Sequence, residues 1–193
     1  FGKTPPCTNF IRSRGIKKVF FSINDFDERS KNKSKKILLK RKILTSKLYL
    51  RKKGLKFYES YSRLKKNKLP LVDAKIALSN DYYTGSKKRK WITNNRSRKL
   101  THLLRTKYHA ILSTSKSINN DNSLLNCRIL GLTNKSPNLV ILDRNLSIKK
   151  SLSIFKIKNN RKILIFTSTY NKEKIKWLKN NKVRVIIMKK MDT

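Results

Sequence analysis

Short β-branched runs alternate with segments of helical period along most of this chain, and that alternation limits the fold more than any other feature. Asn138 to Leu142, Lys162 to Thr167 and Val183 to Met188 are too short and too β-branched for helices and read as strands. Between the last two lies a helical stretch, 171–180. Strands separated by helices need crossover connections, so the pattern implies an α/β protein with a mostly parallel sheet. No internal repeat is apparent.

The rest of the chain fits that scheme. A short helix over 9–14 is stopped by Gly15, and a strand follows over 17–23, bounded by Asn24-Asp25. Residues 29–36 are almost wholly polar and basic and read as a solvated loop leading into a helix near 37–43, with a short strand at 48–50. Leu55, Tyr58, Tyr61 and Leu64 recur at three-residue steps, which predicts one helix over 54–66. Pro70 follows and marks the expected boundary between a domain of residues 1–66 and one of residues 67–193. Beyond it a strand is expected over 71–79 and a helix over 93–108, N-capped by Thr93 or Asn94, with Leu100, Leu103 and Leu104 as its buried stripe. Strands at 109–113, 138–142 and 162–167 complete the second domain.

Charge pulls toward a different reading. Fifty Lys and Arg against ten acids give a net charge of +40, a balance that by itself points to a polyanion such as nucleic acid. Lys, Asn and Ile are abundant together, however, as in a surface drifting under an AT-biased genome. Runs such as Lys31 to Lys36 come with no zinc-finger spacing, helix-turn-helix or RRM-type aromatic motif. Three of the ten acids, Asp81, Asp121 and Asp143, fall instead inside the motifs described next. Cys7 and Cys127 are far apart and lack a C-x-x-C partner, so a reducing cytoplasm is expected and no disulfide framework. The longest apolar runs fall well short of the roughly 18 residues of a membrane span. The chain opens on Phe1 rather than Met, and is read as a fragment lacking both ends.

Gly2-Lys3-Thr4-Pro5-Pro6-Cys7-Thr8 resembles the G-[RK]-T-P-P-C segment of the riboflavin-biosynthesis deaminases, relatives of cytidine deaminase. The resemblance implies that Cys7 is the last of three zinc ligands, in a site whose metal activates water for attack on an amino-bearing carbon. A lone cysteine is otherwise a bland thiol. The family's His-Ala-Glu segment and first Cys do not occur in these 193 residues, and Asp25 to Glu28 stands where the family has D-P-x-P. Only a C-terminal remnant of a cytidine-deaminase-like αβα domain is therefore expected.

A second match is longer. Lys75 to Asp81 resembles K-L-A-x-S-L-D-G, and Lys90 to Thr93 matches K-W-I-T. Arg105 with His109 to Leu112 resembles R-x-x-x-[HD]-A-I-L, and Asp121 to Arg128 resembles D-[DN]-P-S-L-T-x-R. Val140 to Ile148 resembles V-[IV]-L-D-x-x-L-R-I, and Ile163 to Thr167 an I-[IV]-F-T-T strand. Together these segments resemble the reductase half of the bifunctional riboflavin-biosynthesis deaminase/reductase family, which has a dihydrofolate-reductase-like fold. That half reduces the ribosyl group of a phosphoribosylamino-uracil to ribityl with NADPH.

The resemblance implies roles residue by residue. Ala77, Trp91, Ser117 and Asp121 line the cofactor; Arg105, Leu125, Arg128 and Arg89 meet the substrate; Lys75, Asp81 and Asp121 serve the reacting centre. Paired guanidiniums suit a sugar phosphate, because their planar forks hold its oxygens bidentately. Taken without the resemblance, each Arg is a solvated charge, Trp91 is core, and Asp81 and Asp121 close turns. Arg89 stands where the family has a serine, Tyr82 replaces a glycine and Ser123 a proline. The family's glycine-rich E-G-G segment, whose amides receive cofactor phosphates, does not occur here. This piece alone is expected to be inactive, and the full-length protein a homodimer with no specific nucleic-acid partner.

Overall fold

The computed structural model describes residues 5–84, 91–157 and 161–189. The chain divides into two compact units, residues 1–75 and 76–193.

The first unit holds helix α1 (Cys7–Ser13), strand β1 (Lys18–Phe21), α2 (Lys33–Lys40), β2 (Leu44–Lys47), α3 (Arg51–Phe57) and α4 (Glu59–Asn67). Gly15 stops α1 at φ +64, a left-handed conformation that glycine adopts without strain. β1 and β2 pair in parallel, Lys18 opposite Leu44 and Phe21 opposite Lys47, with α2 as the crossover. A Cβ on Gly54 would stand 2.7 Å from Cβ of Ser22, so α3 can approach the end of β1 only through a glycine. Buried apolar side chains are few here: Leu38 on α2 and Ile43 just after it. Ionic ties supplement them. Asp27 accepts from Nη2 of Arg29 at 2.6 Å and from Nζ of Lys65 at 2.6 Å, fastening the loop after β1 to α4. Those two cations hold the Asp27 carboxyl far below the ordinary carboxylate range.

Four expectations need correcting. Helix α2 begins at Lys33, inside the stretch 29–36 expected as loop, and ends at Lys40 rather than 43. The second strand lies at Leu44–Lys47 rather than 48–50, because Leu48 and Leu50 take φ of 72° and 51° and so leave the extended region. The helix expected over 54–66 begins earlier and breaks at Tyr58, whose φ of −96° and ψ of 13° separate α3 from α4. Residues 71–79 form no strand among the described residues; Val72, Ile76 and Leu78 stay exposed. β-branched composition favours extension, but a strand also needs a neighbour to take its hydrogen bonds.

The second unit is built on a four-stranded parallel sheet of order β3-β4-β5-β6. Its strands are β3 (Ala110–Thr114), β4 (Asn138–Leu142), β5 (Ile163–Thr167) and β6 (Val183–Ile187). Around it run α5 (Asn95–Arg105), α6 (Ser115–Asp121), α7 (Ser153–Lys156) and α8 (Lys172–Asn180). The α/β class and the parallel sheet are as the sequence implies. Leu139 and Ile141 of β4 and Ile165 of β5 pack with Ile118 of α6, Ile175 and Leu178 of α8 and the buried residues of 146–154. The opposite face is less covered, and Leu112 of β3 stands exposed on it.

Asp143 anchors the loop after β4. Its buried carboxylate accepts from the hydroxyls of Ser115 and Ser147 and from the N–H groups of Ser147 and Ile148, at 2.7–2.9 Å. A buried charge so fully hydrogen-bonded is tolerated and fixes the turn that drives Ile148 into the core.

Helix α5 contradicts one expectation. Asn94 caps it as expected, its side chain accepting from the N–H of Ser97. Leu100, Leu103 and Leu104, however, are exposed, and no residue of α5 is buried. The half-buried face consists of Arg98, Thr101, His102 and Arg105, spaced three and four apart. This helix turns its polar side inward because Arg105 and His102 find hydrogen-bond partners there.

Candidate functional site

That inward face of α5 meets the loop over 124–128. Nη1 of Arg105 donates to the Asn126 carbonyl at 2.8 Å. Nδ1 of His102 lies 3.1 Å from the same carbonyl and 3.2 Å from the N–H of Arg128, so it donates to the first in one tautomer and accepts from the second in the other. The Arg128 guanidinium reaches to 3.4 Å from Nε2 of His102. From the start of β5, Arg161 donates Nη1 to the Leu125 carbonyl at 3.0 Å and Nη2 to the Leu124 carbonyl. Ser136 holds the N–H of Cys127 at 3.0 Å, and the Cys127 side chain is buried.

Three guanidiniums and an imidazole thus surround one loop. Among the described residues none of Arg105, Arg128 and Arg161 hydrogen-bonds a carboxylate. Nε of Arg105 and Nε of Arg161 are buried without a partner, as is Oδ1 of Asn126. Burial, and then the charge of Arg105, pull Arg161 down to about 10, still protonated at neutral pH. Burial, followed by the Arg128 charge, lowers Arg105, while burial and the charges of Arg105 and Arg128 lower His102. Uncompensated cations in a half-buried setting have the chemistry to take an anion: a phosphate would receive planar donor forks and relieve the mutual repulsion.

The other expected residues are placed as follows. Leu125 sits in this loop at φ 51°, half-buried against the core. Ser117 and Asp121 lie exposed on α6, whose N-cap Thr114 accepts from the N–H of Ser117. Asp121 is the last residue of that helix rather than the turn former that it would be without the resemblance. Trp91 is 55% exposed, with the Arg98 guanidinium 4.7 Å over its ring. Its exposure excludes the core alternative. Ala77 is half-buried, and Lys75 and Asp81 are exposed. Arg89 lies outside the described residues. Arg105, Leu125 and Arg128 are therefore brought together by direct bonds through Asn126 and His102.

Two members of the cluster went unnoticed in the sequence. His102 carried a signal, since it stands three residues before Arg105 on one helical face. Arg161 carried none, because a half-buried arginine in a basic stretch looks like any surface arginine.

Cys7 is exposed at the first position of α1, and among the described residues no group of three His, Cys, Asp or Glu could hold a metal. One thiolate does not make a zinc site, so these residues alone do not fit the metal. A cleft of about 290 Å³ in the first unit, lined by Ile23, Asp25, Phe26, Leu48, Leu55 and Lys66 among others, contains none of the expected site residues. Among the described residues no helix is long and apolar enough to cross a membrane.

Comparison with known proteins gives a consistent picture. A family profile described as the RibD C-terminal domain matches residues 70–193. The riboflavin biosynthesis protein RibD of Aquifex aeolicus is 31% identical over 193 residues, covering 98% of this chain and 53% of that protein. RibD of Bacillus amyloliquefaciens is 30% identical over 156 residues, 80% of this chain and 42% of its own. Among solved structures, a diaminohydroxyphosphoribosylaminopyrimidine deaminase/5-amino-6-(5-phosphoribosylamino)uracil reductase from Thermotoga maritima superposes at a TM-score of 0.77 with 26% identity. That match covers 97% of this chain and 58% of that one. Acinetobacter baumannii RibD shares the fold at a TM-score of 0.80 and 22% identity, over 97% of this chain and 52% of its own. The chain spans about half the length of the curated relatives it matches.

Proposed function

The chain belongs to the RibD C-terminal domain family, and from that premise we propose that its second unit carries the substrate side of an NADPH-dependent pyrimidine reductase of riboflavin biosynthesis. The first unit is then the tail of the attached zinc deaminase, with Cys7 as a ligand completed by residues beyond these 193. One observation carries the reductase reading: Arg105 on α5 is bonded to the loop that carries Leu125 and Arg128, in a cluster where, among the described residues, neither arginine hydrogen-bonds a carboxylate. These are the residues to which the resemblance gives the substrate phosphate and sugar.

The chemistry divides accordingly. NADPH, when bound, supplies the hydride that reduces C1 of the opened or imine form of the sugar. Arg105 and Arg128 grip the phosphate and so fix where C1 lies, turning an encounter into an oriented approach. Trp91, Ser117 and Asp121 are all exposed, which fits a cofactor laid over them. Ala77, half-buried and without bulk, leaves room beside it. Lys75, Asp81 and Asp121 orient the reacting centre and handle its proton. Arg89 meets the substrate by the same resemblance. The protein works in the cytoplasm as a homodimer, and the surplus positive charge gives only salt-sensitive, incidental binding to polyanions.

The test is NADPH oxidation by the full-length gene product with 5-amino-6-(5-phosphoribosylamino)uracil. Turnover is expected, and it falls steeply in Arg105→Ala and Arg128→Ala with the loss carried mainly in KM. No turnover in the unaltered protein, or nucleic-acid binding that withstands moderate salt while NADPH binding does not, overturns the reading.

A further inference from the structure

The loop over 124–128 is held almost wholly by side chains. Among the described residues it makes no backbone–backbone hydrogen bond, and Leu125 adopts a left-handed φ with no glycine to ease it. Three consecutive carbonyls are nevertheless each capped by a guanidinium: Leu124 and Leu125 by Arg161, Asn126 by Arg105. Among the described residues Arg161 gains no ion pair in return, and it stands near the like charge of Arg105. Folding alone gives little reason for such an arrangement, since an apolar residue before β5 would bury more cheaply.

We propose that Arg161 is a positioning residue for substrate: by spanning two successive carbonyls with its planar fork, it sets the backbone that presents the Leu125 side chain and the Arg128 guanidinium. This inference rests on Arg105, Leu125 and Arg128 being substrate contacts. Its mechanism is geometric. Two N–H donors fixed in one plane define the orientation of two peptide units at once, which a single ammonium on a flexible stem cannot do. With that clamp in place Leu125 is kept at φ 51° and the N–H of Arg128 stays against His102. Without it the loop relaxes, and Arg128 no longer meets a phosphate that Arg105 still attracts.

Ribose 5-phosphate serves as the probe and ribose as its phosphate-free control, with affinity read by calorimetry on the full-length gene product. Arg161→Ala and Arg161→Lys are both expected to weaken ribose 5-phosphate by about tenfold, the scale of charge-assisted hydrogen bonds lost from an ordered loop. In both, amide exchange should quicken at 124–128 while protection in β4 and β5 is kept. Wild-type affinity in Arg161→Ala overturns the proposal. So does full recovery in Arg161→Lys, since charge alone would then suffice. Should the alanine variant fail to fold, the lysine variant, which keeps charge and most of the stem, decides by itself. If the unaltered protein ignores ribose 5-phosphate but both variants still loosen 124–128, the clamp stands and the substrate reading fails. Binding lost in Arg105→Ala but intact in both Arg161 variants preserves that reading and removes Arg161 from it.

Discussion

The two units are made from the same lysine-rich, isoleucine-rich sequence and hold together by different means. In the second, eleven residues from β4, β5, β6, three helices and the loop over 146–152 close into one buried cluster. In the first, Leu38 and Ile43 are the buried apolar residues among those described, while Phe20, Phe57 and Leu44 stand exposed and Asp27 fastens loop to helix. A four-stranded parallel sheet offers central strands whose every second residue is enclosed; a two-stranded one is all edge. The difference teaches that sheet width, more than apolar content, decides how much of this composition becomes core.

The largest expected effect strikes the second unit. Ile141→Ala removes a fully buried side chain from β4 and should cost about 2–5 kcal/mol. Both tryptophans lie in that unit, so their fluorescence in urea reports it selectively. Leu38→Ala should leave this tryptophan transition in place; a shift as large as that from Ile141→Ala would break the comparison. Next comes Asp143→Asn, which replaces a carboxylate accepting four hydrogen bonds and should destabilise the same transition by about 1–3 kcal/mol. Smaller again, Asn171→Ala removes the cap of α8, whose Ile175 and Leu178 are in the core, and should cost about 1 kcal/mol. The same change at Asn94 should appear mainly as faster amide exchange within α5, no residue of which is fully buried.

Acid sharpens the contrast with the smallest effects. Asp27 and His102 both have folded values below their ordinary 3.8 and 6.5, so each contributes stability above its ordinary value and loses it as pH falls toward its lowered one. The second unit should therefore begin to weaken below about pH 6.5 through His102, and the first only below about pH 4 through Asp27. His102→Gln should flatten the upper limb of the pH–stability curve, and Asp27→Asn the lower. An upper limb that persists in His102→Gln rules out the imidazole as its source.

What could be read from the sequence follows the same division. β4 appears at 138–142, and β5, α8 and β6 within a residue of expectation, because each carries apolar residues that join one buried core. Asn94 and Gly15 announced a helix start and a helix stop through chemistry that needs no tertiary partner. Errors gathered where partners decide. The leucines of α5 have helical spacing but no surface to meet, and residues 71–79 have strand composition but no ladder. Asp121, expected to close a turn, instead ends α6, a helix that Thr114 caps and whose Ile118 is buried in the core. In the candidate site, motif resemblance reached Arg105, Leu125 and Arg128; the half-buried clamp of Arg161 was invisible to composition and motif alike.

The all-parallel pairing of the second unit also governs how it is made. No neighbouring strands are joined by a tight turn, so each ladder must wait for a crossover of about a dozen residues or more to be brought around. Such closure is charged against chain entropy before any contact rewards it, which places assembly among the slower topologies and leaves β-prone segments bare meanwhile. During synthesis β3 emerges first and stays without its neighbour until β4 has left the ribosome. The dense coat of lysines, whatever its genomic origin, then acts as a solubilising guard over that interval, keeping unfinished chains apart by mutual repulsion.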